Sequence, residues 1–85
     1  MKLITDLRQR HLEAFEAEVN ARKGDGDVHG LSTDAGLAVR SAIAAGWIID
    51  ATDPDVVGDM APADVRKMAK AVNTAYLEAV RTDPN

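Results

Sequence analysis

The chain has 85 residues, 46% of them apolar and 28% charged, with a net charge of −4 and no cysteine. That length has room for one small domain and no second core, so a single helical domain over 1–85 is expected, burying only about 60–65% of the surface that its unfolded form exposes. The acidic balance argues against a general phosphate-binding surface, the lack of Cys excludes disulfides, thiolate zinc sites and thiol nucleophiles, and the longest apolar run, Ala42 to Ile49, falls far short of the roughly 20 residues that span a bilayer.

The opening MKLITDLRQRH places charges where a signal peptide needs an apolar core, so secretion is not expected and the mature chain should begin near Met1. From about 6 to 23 the spacing predicts an amphipathic helix with Leu7, His11, Leu12, Phe15 and Val19 in one broad stripe. Asp6 is the expected N-cap. Arg22 and Lys23 suit the negative end of the helix, and Gly24 can take the left-handed conformation that closes it. Met1 to Thr5 either extend this helix or form a short strand. His11 reads as a packed or capped core residue, because a metal site needs several convergent donors. The GDGDVHG stretch at 24–30 is too rich in glycine for regular structure. Its Asp25, Asp27 and His29 would need ligands from elsewhere to close a metal site, and no phosphate-loop pattern accompanies its glycines.

A second helix is expected over about 33–45, capped by Ser32, Thr33 or Asp34. It is apolar on nearly every side: Ala35, Ala38, Val39, Ala42, Ala45 and Ile49 form one face, Leu37, Ala44 and Ile48 the opposite one, and only Arg40 and Ser41 interrupt. Such a helix must be enclosed by its neighbours, by another copy or by a partner. Gly46 breaks it and turns Trp47, Ile48 and Ile49 back onto the helix just left. Trp47 then serves as a core anchor or, since Trp is enriched in binding hot spots, as an interface residue.

From Asp50 to Asp64 the chain is a linker rich in Asp and punctuated by Pro54, Gly58 and Pro62. Asp53, Asp55, Gly58 and Asp64 fall on four positions of a calcium-loop pattern, but Val57 occupies a ligand position, Asp64 replaces the bidentate Glu and Pro62 interrupts, so turn and cap chemistry is the better account. Val56, Val57 and Met60 should pin the linker to the core. The last helix is predicted over 62–81, with Pro62 at a first-turn position and Asp64 behind it. Val65, Met68, Ala69, Val72, Ala75, Tyr76 and Ala79 form its buried stripe. Leu77 lies outside that stripe, either as the edge of a wider core face with Val80 or as an exposed contact. Arg66, Lys67 and Lys70 line a solvated side.

The expected architecture is therefore an all-α three-helix domain, with the apolar middle helix wrapped by the first and last and an Asp/Pro/Gly-rich linker before the last. No catalytic constellation, cofactor motif or metal motif emerges, so no enzymatic activity is expected. The segments LRQRHLEAF (Leu7 to Phe15), VRSAIAAGW (Val39 to Trp47) and VVGDMAPADV (Val56 to Val65), with the closing LEAVRTDPN, resemble small tail assembly proteins, or tail assembly chaperones, of tailed bacteriophages and prophages. The resemblance implies a non-enzymatic helical protein of the host cytoplasm that binds a phage tail component, such as the tape-measure protein, during virion assembly. Apolar surface at Leu37, Trp47, Ile48 and Leu77 would carry that binding. Self-association into a homo-oligomer through the same surface is the other use of a two-sided apolar helix. The alternatives are a structural virion or head-tail connector component and a small nucleic-acid-binding regulator using Arg66, Lys67 and Lys70.

Overall fold

The computed structural model describes residues 1–23 and 31–81. Three α-helices dominate: α1 (Gln9–Lys23), α2 (Leu31–Ala44) and α3 (Pro62–Arg81), with a short 3-10 helix, Pro54–Asp59, between the last two. The all-α expectation holds, and the middle of α2 is buried within its own chain, while Ala44 near its end is exposed and Leu37 half-buried. Ala38, Val39, Ser41, Ala42 and Ile43 on α2 are buried against Phe15 of α1, Val57 of the 3-10 helix and Val65, Ala69 and Val72 of α3. Each valine or isoleucine removed from water in this way contributes about 1.5–3 kcal/mol before entropy is counted. The expected GDGDVHG loop, with Asp25, Asp27 and His29, lies outside the described residues.

Helix α1 starts three residues later than the spacing suggests, and its cap is not Asp6. Arg8 is the cap residue: its carbonyl accepts from the N–H groups of His11 (2.9 Å) and Leu12 (3.2 Å). Its own N–H donates to His11 Nδ1 at 2.9 Å. The histidine ring thus does what Glu or Gln does at the third position of a capping box, with Nδ1 as the acceptor and its proton on Nε2. Asp6 is occupied by the Arg8 guanidinium, at 2.9 Å. Helix α2 begins at Leu31, so Ser32, Thr33 and Asp34 fall inside its first turn and not at its cap.

The end of α2 is built as the sequence predicts, and the geometry explains where the chain goes next. Gly46 takes a φ of 82°, a left-handed value that costs an L-residue with a side chain about 1–2 kcal/mol. The Trp47 N–H reaches back to the Ala42 carbonyl at 2.9 Å and the Gly46 N–H to that of Ile43 at 3.1 Å. This pair of bonds is a Schellman closure, which sends the next residue inward across the last helical turn. Trp47 is accordingly fully buried. Its ring stacks on Phe15 with centroids 4.6 Å apart, Phe15 in turn meets Tyr76 at 5.6 Å, and the indole Nε1–H donates to the His11 carbonyl at 2.8 Å. The chain's one Trp, one Phe and one Tyr therefore form a continuous chain of rings from the end of α2 through α1 to α3.

Beyond Trp47 the backbone pairs with the N-terminal segment. Leu3 and Ile48 form a single antiparallel bridge, supported by Ile4 N–H to the Trp47 carbonyl and Ile49 N–H to that of Lys2, both 2.8 Å. Of the two readings of Met1 to Thr5, the helix extension is not realised, and an isolated bridge stands in place of a strand. Asp50 accepts from the Lys2 N–H at 2.9 Å, which holds its carboxyl below the usual carboxylate range. Ile49 does not join the α2 face expected of it and is 64% exposed, because the bridge turns it outward. In the linker, Asp53 caps the 3-10 helix by accepting from the Asp55 N–H at 2.9 Å. Val57 and Met60 pack on the core, whereas Val56 faces solvent.

Ser41 is fully buried and its hydroxyl has no hydrogen-bond partner. An unpaired buried hydroxyl carries a desolvation cost without a compensating bond, so Ser41→Ala is expected to leave stability unchanged or raise it by up to about 1 kcal/mol. Trp47→Ala should act in the opposite direction, lowering stability by about 3–5 kcal/mol through the cavity it leaves. Urea unfolding followed by circular dichroism checks both; a destabilised Ser41→Ala variant would show that the hydroxyl has a partner after all.

Candidate functional site

A groove of about 580 Å³ has α1 and α3 as its walls and α2 as its floor. It exists because the contact between α1 and α3 is concentrated at one place. There Phe15 meets Tyr76, and the Tyr76 hydroxyl donates to Glu16 Oε2 at 2.6 Å. Past this junction the small Ala38 and the half-buried Leu37 of α2 leave a depression that α1 and α3 do not fill. Val19 completes the apolar lining, and Asn20, Lys23, Asp34 and Asn73 form a polar rim. An apolar trough with a few polar groups at its edge is the usual form of a binding cleft.

An exposed apolar strip adjoins it on α3. At about 100° per residue, Val80, Asn73 and Leu77 follow Tyr76 within about 100° of arc. They lie on the side away from Ala75, Glu78 and Ala79, which border the N-terminal segment. Leu77 is 47% and Val80 42% exposed. Leu77 is thus exposed and not the edge of the core.

The four residues expected to carry binding are not brought to one surface. Leu37 lines the groove and Leu77 stands on the strip beside it. Trp47 and Ile48 do not form a contact surface: both belong to the core, because the Schellman closure and the bridge to Leu3 turn them inward. Leu37 is the one groove residue expected at a site; Phe15, Val19, Asn73 and Tyr76 are among those that sequence reasoning missed. Helical periodicity marks an apolar face without telling whether it is filled to its edge. The Tyr76 hydroxyl was the available signal, since a tyrosine at the margin of an apolar stripe commonly has a polar partner at a wet boundary. Of the basic group, Arg66 borders a second, smaller pocket, and Lys67 and Lys70 are exposed.

Among the described residues no three His, Asp or Glu side chains are grouped so as to hold a metal ion, and no helix is long and apolar enough to cross a membrane. In comparisons with protein-family models, curated proteins and solved structures, the chain matches none.

The bond from Tyr76 to Glu16 raises the phenol's pKa above the ordinary tyrosine value, with burial and the Glu16 charge acting in the same direction. A raised folded value means that the stabilisation is fully present below the unfolded pKa and is lost as pH rises through the folded one. Tyr76 is the only tyrosine, so ultraviolet titration of its phenolate reads this bond alone. The titration midpoint should lie above that of the urea-unfolded chain and fall towards it in Glu16→Gln; coincident midpoints would mean that the bond does not form in solution.

Proposed function

We propose that this chain is a non-enzymatic protein-binding module that receives an apolar segment of a partner in the groove between α1 and α3. The observation that carries this reading is the groove together with the exposed Leu77 and Val80 beside it. A helix laid in such a trough buries its apolar residues on Val19, Leu37 and Tyr76 while its flanks reach Asn20 and Asn73, the manner in which amphipathic helices are commonly held. The finer reading is that the partner is a component of a phage or prophage tail, such as the tape-measure protein, and that the module acts during assembly in the host cytoplasm. It is supported by the resemblance of the LRQRHLEAF, VRSAIAAGW and VVGDMAPADV segments to tail assembly proteins.

The two levels separate experimentally. Purified chain is mixed with the tail proteins encoded in the same genome and complexes are isolated by size exclusion. A one-to-one or higher complex with a tail protein is the expected result. The double variant Leu77→Glu/Val80→Glu, altered only at exposed positions, should keep the wild-type melting temperature and lose most of the binding. Complex formation that survives this variant and also Leu37→Asp would remove the groove from the reading; the absence of any complex with tail proteins would remove the tail.

A further inference from the structure

A second pocket, of about 190 Å³, lies between α2, the 3-10 helix and the start of α3, and shares no lining residue with the groove. Among the described residues its charged lining is of one sign: Arg40 and Arg66 border it, and no carboxylate does, although the chain has 14 Asp and Glu against 10 Lys and Arg. Arg40 is half-buried on an otherwise apolar helix. Its guanidinium lies against two glycines, since a Cβ on Gly36 would fall 2.8 Å from Nη1 and one on Gly58 would fall 3.7 Å from Nη2. Among the described residues Arg40 has neither an ion pair nor a hydrogen bond. An arginine cannot shed its proton to escape such a position, and a partly desolvated charge without a counter-ion is unfavourable. The rest of the lining is apolar, with Val57 and Val65 among it.

We propose that this pocket binds a carboxylate borne on a short aliphatic stem. The two guanidinium groups take the carboxylate oxygens, which match the planar donor fork of arginine, and the stem lies on Val57 and Val65. A phosphate fits less well, because its further oxygens would face those valines without donors. The acid can be a free short-chain carboxylate or the side chain of a glutamate in a polypeptide; both present the same group, and the inference does not depend on what occupies the groove.

The test is titration of the ¹⁵N-labelled chain at constant ionic strength with butyrate and with a doubly blocked glutamate, alongside 1-butanol and inorganic phosphate. Saturable shifts of the Gly36 and Gly58 amides and of the Arg40 and Arg66 Nε–H signals are expected with the two carboxylates and not with butanol. The tighter of the two carboxylates tells a free acid from a polypeptide side chain. Arg40→Gln and Arg66→Gln should each weaken binding about ten-fold or more, as loss of a charge-assisted bond does. Should Arg40→Gln fail to keep its melting temperature, Arg66→Gln decides alone, because that side chain is exposed. Absence of saturation by either carboxylate, equal response to phosphate, or undiminished binding in the folded variants overturns the proposal.

Discussion

The indole of Trp47 is the joint on which the other contacts depend. It is buried without an orphaned donor only because the first turn of α1 offers the His11 carbonyl, and it reaches that carbonyl only because Gly46 closes α2 in a left-handed conformation. Phe15 then stacks on it from α1 and passes the contact to Tyr76 on α3. With three aromatic residues in all, the chain places every one of them in this single row. The remainder of the buried core is mostly alanine and valine, with Ile43 and Ile48 beside them, and the small side chains let α2 sit deep between its neighbours. The groove and the Arg40 pocket lie on its two flanks.

Much of this was legible in the residues themselves. The stripe from Val65 to Tyr76 announces α3 and its buried side, and Gly46 followed by large apolar residues announces the end of α2. Other features were not legible for definite reasons. Asp53 before Pro54 carries the cap-then-proline signature of a helix start, yet Gly58 and the density of aspartates make the same stretch read as linker. Asp6 looks like a cap, and the role falls to Arg8 because a histidine three positions later can accept its N–H. Ile48 and Ile49 are indistinguishable by composition; one is buried and the other exposed because alternate residues of a bridged segment face opposite ways. The groove depends on how far α3 stands from α1, a quantity that no local pattern encodes.

The two flanks of α2 differ in chemical character. The groove side has an apolar floor and a mixed polar rim that presents acid, base and amide together, suited to a long contact in which no single bond dominates. The opposite side narrows to two arginines above valine, a small aperture suited to a single charged group. Arg40 and Ser41 are the only polar residues in the middle of an otherwise apolar helix, and their fates diverge. Ser41 is sealed among packed side chains with an unpaired hydroxyl, while Arg40 keeps access to the surface through the space that Gly36 and Gly58 leave open.

The bonds that tie the segments together join residues far apart along the chain: 36 positions separate His11 from Trp47, 48 separate Lys2 from Asp50 and 60 separate Glu16 from Tyr76. The helices themselves form from neighbouring residues on a microsecond scale, but the aromatic row exists only after long loops have closed, and such closure sets the pace of folding when contacts are non-local. For its size and helical content the protein should therefore reach its native state more slowly than a helical hairpin would.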